Sequence, residues 1–164
     1  MPQQAVFLLV EDNENDVVLV RRTMAKAKVL NPLQVVESGE KAVAYLSGEG
    51  RYSDRGQYPL PALVLLDLKL PGLDGFGVLK WIRQNPGLKA LRVVVLTSSN
   101  DMRDVNLAYQ LGANSFLVKP VEFETFNQIA NVMSGYWLWL EQAPEVSRPS
   151  PAEEKESVLK TGQP

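Results

Sequence analysis

Five side chains stand where short apolar runs stop, and their types define the chemistry open to this chain. Glu11 and Asp12 follow the run 5–10, Asp67 follows 62–66, Thr97 follows 91–96, and Lys119 follows 115–118. If those runs are buried strands of one parallel sheet, all five side chains gather at its carboxyl edge. Three carboxylates packed together repel one another and must take up protons or a cation. Hard carboxylate oxygens suit Mg2+, with Mn2+ as an acceptable substitute, and such an ion also takes waters and a phosphate oxygen. Asp12 and Asp67 supply the protein's share of ligands beside Glu11, and the backbone carbonyl of Lys69, two residues past Asp67, offers a further oxygen. An ionised Asp67 next to that cation is a nucleophile towards phosphorus, with an acyl phosphate as its product. Lys119, the Thr97 hydroxyl and the amide that follows at Ser98 are donors suited to the phosphoryl oxygens.

Composition narrows the alternatives. The chain has no histidine and no cysteine, which removes imidazole bases, thiolate nucleophiles, disulfides and the commonest transition-metal ligands. Its 17 basic and 19 acidic residues give a net charge of −2, so no global field recruits nucleic acid, and no basic patch is visible. Residues 1–4 lack a basic start, and the apolar run behind them is too short for a secretory core or a membrane span; the expected location is the cytoplasm. At 164 residues one domain is expected, on a prior of roughly 100 to 200 residues each.

The elements that must position the five side chains alternate regularly. Strands are predicted at 5–10, 33–37, 62–66, 91–96 and 115–118, as short runs rich in Val, Leu and Phe. Helices are predicted between them. Val17, Val20, Met24 and Ala27 recur at helical spacing, as do Ala42, Val43 and Leu46, then Val78, Leu79 and Ile82. Asp74 reads as a turn or capping residue, and the hydroxyl-rich stretch 97–100 reads as a cap for a helix over 101–111. Residues 48–61, with three glycines and two prolines, read as an exposed connection of unusual length. The expected fold is α/β: a doubly wound, flavodoxin-like (βα)5 three-layer sandwich around a five-stranded parallel sheet in the order 2-1-3-4-5.

The segments Leu9-Val10-Glu11-Asp12-Asn13, Leu65-Leu66-Asp67, Pro71-Gly72-Leu73-Asp74-Gly75, Thr97-Ser98 and Lys119-Pro120, in this order and each at a strand end, closely resemble the receiver domains of two-component response regulators. The resemblance covers residues 5–140. It implies that Asp67 is the phosphoacceptor, that Glu11 and Asp12 are the metal-side acids, that Thr97 and Lys119 sense the phosphoryl group, and that Phe116 is the aromatic that turns inward. It also implies a cis peptide at Lys119–Pro120 and a histidine kinase as the phosphoryl donor. Two positions depart from the family's common pattern: Ser98 stands where alanine is frequent, and Leu70 where methionine is frequent.

A helix from 122 to about 140 carries two apolar stripes and ends on Tyr136, Trp137 and Trp139, more aromatic surface than a monomer ordinarily exposes. A homodimer through this helix is expected. Regulators of this kind ending in such a helix resemble those paired with bacterial phytochromes, which implies a bacteriophytochrome as the kinase. Residues 141–164, rich in proline and glutamate, read as a disordered tail. Three rival readings meet specific obstacles. A haloacid-dehalogenase-type enzyme needs a second aspartate where Lys69 stands, a flavin-mononucleotide carrier would repel its phosphate at Glu11 and Asp12, and a receiver without phosphorylation would lack one of Asp12, Asp67 or Lys119.

Overall fold

The structure is a computed structural model and describes residues 5–122, 124, 125, 127 and 128. The chain divides into two units, Met1–Asn127 and Gln128–Pro164, and all the described residues but Gln128 belong to the first. Tyr136, Trp137, Trp139, the domain end expected at 140 and the tail 141–164 lie outside the described residues.

Five strands, β1 (Phe7–Val10), β2 (Leu33–Val36), β3 (Leu63–Leu66), β4 (Arg92–Thr97) and β5 (Ser115–Val118), form one parallel sheet in the order β2-β1-β3-β4-β5. Between them run α1 (Glu14–Lys26), α2 (Gly39–Ser47), α3 (Gly75–Gln84) and α4 (Met102–Gln110). Glu124, Thr125, Asn127 and Gln128 are helical. Every residue of β1 and β3 is buried, as expected of central strands clad on both faces, and each fully buried leucine contributes about 1.5–3 kcal/mol. Leu8, Val10, Val64, Leu66, Val78 and Ile82 belong to the core on one side of the sheet. The register sets Val10 level with Leu66, so β1 and β3 release Glu11 and Asp67 side by side.

The helix starts are fixed by side chains. Asn13 caps α1 by accepting from the amides of Asn15 and Asp16, and Asp74 caps α3 by accepting from Gly77. The cap of α4 corrects an expectation: it is Asp101, which accepts from Arg103 N at 2.9 Å, and not the stretch 97–100. The Ser99 side chain is engaged elsewhere, donating to Asp104 Oδ2 at 2.6 Å.

The segment 48–61 is largely exposed, as expected, yet it is anchored: it contains a 3-10 turn, Gly50–Ser53, and its two tyrosines, Tyr52 and Tyr58, pack with Tyr45 of α2. The Tyr52 ring is buried, 5.1 Å from Tyr45 and 5.1 Å from Tyr58, and the Tyr45 hydroxyl donates to Pro59 O at 2.8 Å. Arg55 donates to the carbonyls of Tyr45 and Leu46 at the end of α2, adding to the bond that Tyr45 O takes from Gly48 N. The glycines and prolines that mark turns say nothing of the apolar area that three tyrosine rings carry through them.

Candidate functional site

Each site residue owes its place to the step from strand to loop. Glu11 leaves β1 with its amide donating to Val36 O, and its side chain folds back under the acidic loop, where Oε1 accepts from Asn13 N at 3.1 Å. Asp67 leaves β3 with its amide on Val10 O at 3.1 Å, and its Oδ1 accepts from Lys69 N at 3.2 Å. Lys119 leaves β5 with its amide on Thr97 O at 2.8 Å, which ties the ends of β4 and β5 together. The Lys119–Pro120 peptide is cis.

The Lys119 ammonium is the hub. It donates to Glu11 Oε2 at 2.5 Å, to Asp16 Oδ2 at 2.9 Å and to Asp67 Oδ2 at 3.1 Å. Glu11 and Asp67 are buried, whereas Asp12 is exposed and forms the open side of the cluster. Burial pushes the Glu11 carboxyl up to about 7; the hydrogen bond from Lys119 opposes this and the charge of Asp67 adds to it. Burial alone would lower the Lys119 ammonium, but its hydrogen bonds to Glu11 and Asp16 hold it above the ordinary lysine range. The site is thus a pocket of like charges neutralised in part by one cation.

Whether these groups suit a divalent metal can be judged from their oxygens. One carboxylate oxygen each from Glu11, Asp12 and Asp67 lies within 4.8 Å of the others. Oxygens on an octahedral Mg2+ sit about 3–4 Å apart, so small side-chain rotations bring this set to bonding distance. The donor set is hard, partly dehydrated and in excess of the positive charge around it, and it fits such an ion.

The remaining candidates flank this centre. Thr97 is fully buried, and its Oγ1 accepts weakly from Ser99 N at 3.5 Å. Ser98 is exposed, and Phe116 is half-buried against the core. Lys69 is exposed, and its amide rather than its side chain engages Asp67.

Two residues that sequence reasoning did not single out, Asp16 and Glu40, shape the site, together with Gly75 of the segment 71–75. Asp16 is one of the three partners of Lys119. The available signal was its position, a first-turn acid on the helix that leaves the acidic loop. Glu40 reaches from α2 to accept from Leu73 N at 2.8 Å, which pins the loop following Asp67 beside Gly72 with its φ of +72°; that bond lowers the Glu40 carboxyl below its usual range. Gly75 lets α3 abut the end of β3: a Cβ there would lie 2.2 Å from Asp67 O and 2.6 Å from Leu68 Cα.

Among the described residues no helix is long and apolar enough to cross a membrane. The model of the response regulator receiver domain matches residues 7–131. Response regulator Rcp1 of Synechocystis is 38% identical over 133 residues, covering 81% of this chain and 88% of that protein. The solved Mn2+-bound form of Rcp1 superposes with a TM-score of 0.66 at 36% identity, covering 89% of this chain and 99% of the other. The phosphorylated cyanobacterial phytochrome response regulator RcpA superposes with a TM-score of 0.68 at 35% identity, covering 86% and 97%. The probable methanogenesis regulatory protein FilR2 of Methanothrix harundinacea is 36% identical over 139 residues, 85% of this chain and 87% of that protein. With the strand order and the acid–lysine centre already in place, these matches settle the lineage: the chain belongs to the receiver domains of response regulators, divalent-metal-binding switches of two-component signalling that take a phosphoryl group from a histidine kinase onto an aspartate.

Proposed function

We propose that Asp67 is the aspartate that accepts the phosphoryl group. The observation that carries this is the meeting of a buried carboxylate, the Lys119 ammonium at 3.1 Å and the Glu11–Asp12–Asp67 oxygen cluster in one pocket. Mg2+ is the physiological ion, held by Glu11, Asp12, Asp67 and the Lys69 carbonyl, with Mn2+ able to replace it; it neutralises charge on the acceptor and on the incoming group. Lys119, Thr97 and the loop at Ser98 bind the phosphoryl oxygens. Phe116 turns inward as Thr97 moves towards the phosphate, which alters the affinity of the α4–β5 face for a partner.

The protein acts in the cytoplasm as a switch rather than an enzyme on external substrates. Its kinase is a bacteriophytochrome, a reading supported by the name of RcpA. The dimer expected through the last helix is part of this proposal. Incubation with radiolabelled acetyl phosphate and Mg2+ tests the acceptor: Asp67→Asn is expected to carry no label, and label retained at another residue would refute the assignment.

A further inference from the structure

Lys119 is held by a carboxylate to which the proposed chemistry gives no task. An ammonium has three N–H donors, and here one goes to Glu11, one to Asp67 and one to Asp16. The bond to Asp16 Oδ2, at 2.9 Å, is shorter than the 3.1 Å to Asp67. Glu11 and Asp67 also belong to the cluster of metal-competent oxygens; among the described residues that cluster comprises Glu11, Asp12 and Asp67, without Asp16. Asp16 therefore bears on the lysine and not on the cation.

A lysine stem turns freely about several bonds, so an ammonium tied at one point samples many positions. Asp16 limits that freedom from a rigid base. It lies in the first turn of α1, where its own amide is held by the Asn13 cap at 3.3 Å. We propose that Asp16 is a positioning residue for phosphoryl acceptance: with Glu11 it holds two of the lysine's donors, so that the third stays aimed at Asp67, where a phosphoryl oxygen arrives. This rests on the reading of Asp67 as the acceptor. In that step an Asp67 oxygen bonds to phosphorus while the bond from phosphorus to the donor's leaving atom breaks. The leaving atom, a phosphohistidine nitrogen or the acetate oxygen of acetyl phosphate, keeps the electron pair. Asp16 exchanges no proton and touches none of the reacting atoms.

The test uses the full chain, its Asp16→Asn and Asp16→Glu variants, acetyl phosphate with Mg2+, and a separate titration with Mn2+ followed by electron paramagnetic resonance without any phosphodonor. Because small misplacements of a positioned group are costly, Asp16→Asn is expected to slow labelling about 10-fold. Its Mn2+ affinity stays within about 2-fold of wild type, since positioning acts on the lysine alone. Asp16→Glu, which keeps the charge, recovers part of the lost rate. A wild-type rate in Asp16→Asn, a parallel loss of Mn2+ affinity, or an Asp16→Glu variant as slow as Asp16→Asn each overturns the proposal. Unlabelled wild-type protein would instead strike the acceptor reading, whereas normal Asp67 labelling with an unaffected Asp16→Asn removes only the role of Asp16.

Discussion

At the carboxyl edge of the sheet, one ammonium is surrounded by carboxylates drawn from two separate segments, and burial holds Glu11 up at about 7. Where the segment 48–61 meets α2, by contrast, the rings of Tyr45, Tyr52 and Tyr58 pack on one another, the Tyr45 hydroxyl reaches Pro59 O, and Arg51 lies 5.2 Å and 5.4 Å from the centres of the Tyr52 and Tyr58 rings. The first region gathers groups that repel, an arrangement that works against folding and is useful only to a ligand with charge to share. The second gathers apolar area with its polar tips satisfied, which favours folding and offers a phosphoryl group nothing. Removing a side chain from the edge should therefore cost chemistry and spare stability, and removing one from the tyrosine cluster should do the reverse.

The sharpest trial of that contrast is Asp67→Asn, which should reduce acetyl phosphate labelling by at least ~1,000-fold while changing the urea unfolding free energy by less than ~1 kcal/mol. A large loss of stability in that variant would break the comparison. Next in size is Tyr45→Ala: Tyr45 is 1% exposed, and its truncation should destabilise the fold by about 3–5 kcal/mol, read from the urea midpoint, with the labelling rate of the folded fraction unchanged. Gly75→Ala should blur the two classes, because the added methyl meets the backbone of Asp67 and Leu68. A loss of about 1–3 kcal/mol together with slower labelling is expected.

The smallest effect concerns the Tyr45 hydroxyl. Tyr45→Phe removes the bond to Pro59 O and should cost about 1 kcal/mol at neutral pH. Burial pushes the Tyr45 phenol up to about 12, above the roughly 10 of an unfolded chain. The native state then keeps a proton that the unfolded state loses, so this contribution is complete below about pH 10 and declines as pH rises towards 12, by at most about 1.4 kcal/mol per pH unit. The stability advantage of wild type over Tyr45→Phe, followed from pH 9 to pH 12, should fall above about pH 10 and change sign before pH 12; a constant difference would show that the phenol titrates alike in both states.

The strand order and the meeting of Glu11, Asp67 and Lys119 were legible in the sequence because each residue ends an apolar run, and a run long enough to be buried announces its own terminus. Asp16 was not legible. Its partner is 103 positions away, and whether a first-turn acid faces the sheet edge or the solvent depends on how α1 is set against β1. Glu40 escaped for the same reason, since its bond to Leu73 spans two elements whose approach depends on Gly39, where a Cβ would stand 2.1 Å from Leu73 O. The exposure of segment 48–61 was legible from its turn formers, but its anchoring was not, because that depends on ring-on-ring packing of Tyr52 and Tyr58 with Tyr45 of α2.

Gly75 carries one more implication. With the start of α3 pressed against the carbonyl of Asp67, the backbone at that position has no room to retreat. If Asp67 takes the phosphoryl group as proposed, the room for that dianion must come from flanks other than this one. On that reading the missing methyl at a single helix start leaves the acceptor backbone a fixed anvil, and accommodation of the new charge falls to side chains and to the other loops of the sheet edge.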